Sequence, residues 1–182
     1  MPSQPTLLEL LNELDTCPLG EAGWRQFEDV CTRILTYAFV PPLVAPHIQV
    51  RTYSGIDRRD AVFPNRGFTT DTIWGQIHHD VGARMVLCEF KNYAKSRLTS
   101  TEVDQCRLYL TPTIGNLALM CCRAEPAKSA YKRRIEVYSL EKKVILFILP
   151  DRLKELAYLR EKGADPAGLI MDMIELFYLN CY

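Results

Sequence analysis

Glu89-Phe90-Lys91 stands at the end of an apolar run, Met85-Val86-Leu87-Cys88. If that run is a strand, residues i and i+2 leave one face about 6–7 Å apart along it. A carboxylate and an ammonium then project side by side from an apolar strand, and burying either charge without a partner is costly. Such a pair is an ion pair where the strand meets solvent, or half of a reactive site. A second carboxylate, Asp60, opens another apolar run, Ala61-Val62-Phe63. If the two strands pair, Asp60 and Glu89 converge. Two carboxylates at a strand edge form a hard oxygen site suited to Mg²⁺, with waters and phosphate oxygens as further ligands. Lys91 beside them would neutralise charge developing on a scissile phosphate, or orient or deprotonate the attacking water. That is a constellation for phosphodiester hydrolysis. Asp57 is the rival to Asp60, but it falls in the turn Ser54-Gly55-Ile56-Asp57 rather than in the strand.

The elements that must position these residues follow from apolar spacing. Leu7, Leu8, Leu10, Leu11 and Leu14 make a helical stripe closed by Cys17-Pro18-Leu19-Gly20. A second helix is predicted from about Glu21 to Tyr37, with Trp24, Phe27, Val30, Cys31, Ile34, Leu35 and Ala38 as its apolar positions. Pro41-Pro42 ends it. His47–Tyr53 alternates as a strand and Arg58–Phe63 re-enters as a second. Residues 68–82 predict a short amphipathic helix using Ile73, Trp74, Ile77 and Val81, weakened by Gly75 and its threonines. Met85–Phe90 is apolar on both faces, the mark of a central strand covered on two sides.

A helix over Thr99–Leu110 follows, N-capped by Ser100 or Thr101, then a strand at Leu117–Cys122. Next come a helix at Ala127–Arg134, a strand at Val144–Leu149 and helices near Asp151–Lys162 and Asp165–Leu179. Asp151 and Asp165 are expected as N-caps of the last two, with Pro166 in a first turn. The order implies an α/β fold, a mixed sheet flanked by helices. The last helix carries Leu169, Ile170, Met173, Ile174, Phe177 and Tyr178, which either close the core or form a homodimer face.

Asp60, 28 intervening residues and Glu89-x-Lys91 resemble the PD-(D/E)xK motif of restriction-endonuclease-like nucleases. The flanking order of helix, hairpin, strand, helix and strand is similar to the core of that superfamily. Glu89-Phe90-Lys91-Asn92-Tyr93 resembles the E-x-K-N-Y version of Mrr-like and related bacterial defence nucleases. The likeness covers about residues 21–123 and is looser beyond. Arg59 replaces the proline expected before the aspartate, a common loss in that family that leaves the aspartate's role intact.

The resemblance implies a single nuclease-like domain over 1–182, with a restriction-endonuclease-like core at about 21–150 and helical extensions at 1–20 and 151–182. It implies a Mg²⁺- or Mn²⁺-dependent endonuclease acting on DNA, in bacterial defence, with an associated ATPase or sensor protein as a further partner. DNA rather than RNA comes from the family alone. Glu28 matches a place where many members carry an additional acidic residue near the metal; a solvated helix carboxylate is the alternative. Gln105 matches a polar position on the helix after E-x-K that often faces the site, with a surface amide as its alternative. The implied set is therefore Asp60, Glu89, Lys91 and Gln105 for catalysis and Glu28, Asp60 and Glu89 for the metal. The rival function is a subunit of the same fold that is inactive or needs a partner, binding nucleic acid or assembling with other proteins.

Composition bounds these readings. With 182 residues, 48% of them apolar, the chain suits one compact domain rather than disorder or two cores. Net charge is zero, but residues 1–50 carry −4, 51–150 carry +6 and 151–182 carry −2. A basic middle can steer a polyanion although the total cancels. Its cations include Arg58, Arg59, Arg66, Lys95, Arg97, Arg123, Lys128, Lys132, Arg133 and Arg134, some of them expected on backbone phosphates. The seven cysteines are odd in number and lack C-x-x-C, which favours buried free thiols over a disulfide framework or a zinc site. His78-His79-Asp80 reads as surface or packing, since adjacent histidines diverge. The first fifteen residues lack the basic start of a signal peptide, and no apolar run spans a bilayer, so a cytoplasmic protein is expected.

Overall fold

The two-sided apolar run around Cys88 forms the middle of a five-stranded sheet. The computed structural model describes residues 6–51, 58–67 and 69–181. The strands are β1 (His47–Arg51), β2 (Arg58–Pro64), β3 (Met85–Lys91), β4 (Leu117–Cys122) and β5 (Val144–Ile148), and they lie in that order. β1, β2 and β3 pair antiparallel, while β3, β4 and β5 pair parallel. The sheet is therefore mixed. The end of the predicted first strand and the turn holding Asp57 lie outside the described residues.

Seven helices cover the sheet among the described residues: α1 (Leu7–Thr16), α2 (Trp24–Phe39), α3 (Ile73–Val81), α4 (Ser100–Tyr109), α5 (Lys128–Glu141), α6 (Pro150–Glu161) and α7 (Ala167–Leu179). A 3-10 turn, Gly20–Gly23, leads into α2. Because side chains alternate along a strand, each face receives its own layer. Ala61, Phe63, Val86, Cys88 and Phe90 pack with α1, α2, α3, α6 and α7. Val62, Leu87, Met120 and Phe147 pack under α4 and α5. In α7, Ile170, Ile174 and Phe177 are buried in the first layer, so its apolar side closes the core. All seven cysteines are free, and all but the half-buried Cys181 are buried.

Several boundaries differ from expectation. α4 is capped by Thr99, which forms a capping box with Glu102, rather than by Ser100 or Thr101. α5 runs seven residues past Arg134 to Glu141. Asp151 is not an N-cap: Pro150 fills the first helical position of α6 and leaves Leu149 at the cap. Pro166 itself caps α7, while the Asp165 carboxylate accepts the Ala167 N–H at 2.9 Å. Gly75, expected to weaken α3, is required there. A Cβ at that position would sit 1.6 Å from the Thr69 carbonyl oxygen.

Candidate active site

β2 and β3 run in a register that pairs Ala61 with Cys88, so the next step along the pair sets Asp60 opposite Glu89. Here side chains replace the ladder. The Phe90 N–H donates to Asp60 Oδ2 at 3.0 Å, and the Asp60 N–H donates to the Glu89 carboxylate. Each acidic group is thus held by the other strand's backbone. The same row continues through Met120 to Phe147, so the two carboxylates border an apolar layer.

Glu89 is 3% exposed, and its Oε1 is buried with no hydrogen-bond partner. Burial, and then the nearby Asp60 charge, push its carboxyl up to about 8, against the weaker opposing effects of Lys91 and the Asp60 N–H; the Glu28 charge adds to the rise. Lys91 Nζ stands 3.7 Å from Glu89 Oε2 and 3.5 Å from Gln105 Oε1. Both contacts are long, so the ammonium keeps hydrogens for a third partner. Gln105, on α4, donates through Nε2 to the Tyr109 hydroxyl at 2.9 Å, which fixes the amide with its oxygen toward Lys91.

Glu28 lies on the buried side of α2 at 7% exposure and accepts from Gln49 Nε2 at 3.4 Å. Gln49 was not legible as a site residue. Alternation alone marks it as one more outward side chain of an edge strand. In the structure it has φ 55° and sits between the paired positions Ile48 and Val50, opposite Asp60. A side chain in the left-handed region away from glycine is strained, and such residues gather at functional sites. Asp60, Glu89, Lys91 and Gln105 are thus joined through contacts, while Glu28 is tied to the strand row through Gln49.

The donor set can be tested against a divalent cation. Two carboxylates meet on adjacent strands, one oxygen is buried without a donor, and burial together with the Asp60 charge raises an acid that a cation would return to its charged form. Those features fit Mg²⁺ or Mn²⁺, which need one or two carboxylates and take water and phosphate for the rest. Among the described residues, no group of three His, Cys, Asp or Glu stands close enough to hold an ion by itself. His79 and Asp80 are exposed on α3, and Asp80 accepts from the Tyr178 hydroxyl at 3.2 Å.

Of the cations expected on phosphates, several are engaged inside the molecule. Arg59 is 8% exposed, with its guanidinium 6.0 Å from the Tyr109 ring centre. Arg123 donates to the carbonyls of Leu14, Asp15 and Cys17. Arg133 pairs with Asp104 and Glu136, and Arg134 lies over the rings of Tyr131, Phe147 and Phe177. Arg66, Lys95, Arg97, Lys128 and Lys132 are exposed. No helix of the described residues is long and apolar enough to cross a membrane.

No protein-family model matches the chain, and no solved structure matches it. The chain is similar to a transposon gamma-delta 80.3 kDa protein of Escherichia coli (strain K12), at 27% identity over 123 residues. The match covers 66% of this chain but 16% of that protein, so the chain spans a small part of its relative's length.

Proposed function

We propose that this chain is a metal-dependent nuclease of the restriction-endonuclease-like class that hydrolyses phosphodiester bonds of DNA. The observation that carries the reading is the meeting of Asp60 and Glu89 on adjacent strands beside Lys91, with one buried carboxylate oxygen left without a partner. Asp60, Glu89 and Glu28 would hold the cation, which supplies polarisation of the phosphate and an acidified water. Lys91 would face the non-bridging phosphate oxygens, where charge grows as the water oxygen bonds to phosphorus and the bond to the leaving sugar oxygen breaks. Gln105, fixed by Tyr109, would steady the Lys91 ammonium. The name of that relative states no activity, so the proposal rests on the site.

A second reading is a subunit that needs a partner, such as an ATPase or sensor protein, to become active. It is favoured by the engagement of Arg59, Arg123, Arg133 and Arg134 inside the molecule, which leaves fewer cations of the basic middle for a polyanion. One experiment separates the two. Plasmid DNA is incubated with Mg²⁺ or Mn²⁺ and the wild type, Asp60→Ala or Lys91→Ala. The nuclease reading expects cleavage by the wild type and a loss of at least about 10²-fold in each variant. Cleavage that survives both substitutions would overturn the assignment. A wild type that neither cuts nor binds the metal would support the dependent subunit.

A further inference from the structure

Beside the end of β3, the chain forms an open cleft of about 670 Å³ whose walls include Trp24, Phe90, Lys91, Asn92, Tyr93 and Lys95. Hydrogen bonds join its walls. Asn92, 6% exposed, donates through Nδ2 to the carbonyls of Pro18 at 2.8 Å and Gly20 at 3.1 Å, and its own carbonyl accepts the Gly20 N–H at 2.9 Å. The segment before α2 is therefore clamped to the segment after β3. A Cβ at Gly23 would lie 1.9 Å from the Pro18 carbonyl oxygen, so only glycine lets the chain enter α2 at this angle. Trp24 follows at once, and its place on the wall is set by that clamp.

Trp24 also breaks the pattern of its helix. The other apolar positions of the α2 stripe are at most 1% exposed, yet Trp24 is 39% exposed. Lys91 and Lys95 line the same cleft, the Lys91 ammonium being turned toward Glu89 and Gln105, and among the described residues Lys95 makes no ion pair; the acidic lining residue is Glu21. An indole exposed on the cleft wall, with the Arg25 guanidinium 5.1 Å from its ring centre and Lys95 on the same lining, adjoining the proposed hydrolytic centre at Lys91, has the make-up of a single-strand nucleic-acid seat. The ring offers a stacking face that accepts any base, and the cations follow the backbone.

We infer that this cleft receives an unstacked base of the DNA substrate on Trp24, with the adjoining phosphates passing Lys95 toward Lys91. The inference rests on the nuclease reading and narrows its substrate class. A base inside a duplex has both faces covered by its neighbours, so the preferred substrate carries an unpaired base at or beside the cut, as in single-stranded DNA, an overhang or a branch.

The two tryptophans make this measurable, because Trp74 is 1% exposed and stacked edge-on against Phe39. Metal-free protein is titrated with a short thymidine homopolymer, a duplex of equal length and a strand of equal length lacking bases, following tryptophan fluorescence and the anisotropy of a labelled strand. The thymidine strand is expected to quench emission. Trp24→Ala should weaken its binding about ten-fold, whereas Trp24→Phe, which keeps an aromatic face, should recover most of it. Duplex and baseless strand should bind wild type and Trp24→Ala alike. Equal weakening of strand and duplex in Trp24→Ala, or a baseless strand held as tightly as thymidine, would overturn the base seat. If the wild type also cuts duplex plasmid in the assay above, the nuclease reading stands without the seat. If it neither binds nor cuts any DNA, both fall.

Discussion

Asn65 and Glu89 are equally buried, each 3% exposed, at opposite ends of the β2–β3 pair. Asn65 follows β2 and is fully used. Its Nδ2 donates to the carbonyls of Trp74 at 2.9 Å and Ala83 at 3.1 Å, and its Oδ1 accepts the Gly67 N–H at 2.9 Å. Those bonds tie both ends of α3 to the sheet. Glu89 has the same burial, yet one oxygen lacks a partner and a second carboxylate lies beside it. Burial of a polar group therefore does not separate scaffold from site; Glu89 differs in combining an unpartnered oxygen with a like charge beside it. A satisfied polar group specifies the fold, whereas an unsatisfied one with a like charge as neighbour marks strain kept for another purpose.

The sharpest way to break the comparison is to neutralise the strained member. Glu89→Gln removes a proposed metal ligand, so cleavage should fall by about 10²-fold or more while the protein gains stability. The pH sense follows from the raised pKa. The folded chain holds the Glu89 proton more tightly than the unfolded chain, so the stability this adds is whole below about pH 4.5. It is lost as pH rises toward about 8. Thermal melts of metal-free wild type should decline across that window, and Glu89→Gln should decline less. A variant that melts lower than wild type at pH 8 would show that Glu89 is not under strain.

The satisfied member should behave in the opposite way. Asn65→Ala strips donors from two buried carbonyls and should destabilise the chain by about 2 kcal/mol, a drop of several degrees in Tm. Cleavage per folded molecule, assayed well below the melt, should stay close to wild type. Metal addition sharpens the contrast further. At about 100 times its Kd, Mg²⁺ should stabilise wild type and Asn65→Ala alike by about 2.7 kcal/mol, and Glu89→Gln much less. Equal stabilisation of all three would place the ion elsewhere.

Legibility in the sequence divides along the same line. The strands and the buried helices were readable because each carries a period that matches its contacts: β3 is apolar on both faces, and α2 repeats its stripe from Phe27 to Ala38. α5 was read too short because it buries only Ala130 and Val137, too few to mark a stripe past Arg134. The pairing of Asp60 with Glu89 was readable because both open or close apolar strands that are sequence neighbours in the sheet. Trp24 occupies a position in the core period but meets a clamp formed by Asn92, Pro18 and Gly20, which no local pattern contains. Arg59 looked like a phosphate contact from charge alone; its burial beside Tyr109 is a tertiary fact. Gln49 needed both a register and a backbone angle to stand out.

Gln49 gives the smallest effect and the finest test of what strain is for at this edge. Its φ of 55° would be relaxed by glycine, worth about 1 kcal/mol, while the loss of its amide removes the donor to Glu28. Gln49→Gly should therefore melt no lower than wild type but need several-fold more Mg²⁺ for half-maximal cleavage, because Glu28 loses the 3.4 Å contact that ties it to the strand row. Gln49→Asn separates the two contributions. Asparagine tolerates the left-handed region and keeps an amide, on a shorter stem that falls back from Glu28. Its melt should match Gln49→Gly, and its Mg²⁺ requirement should fall between glycine and wild type. If all three proteins share one Mg²⁺ dependence, Glu28 takes no part in holding the ion, and the proposed metal site reduces to Asp60 and Glu89.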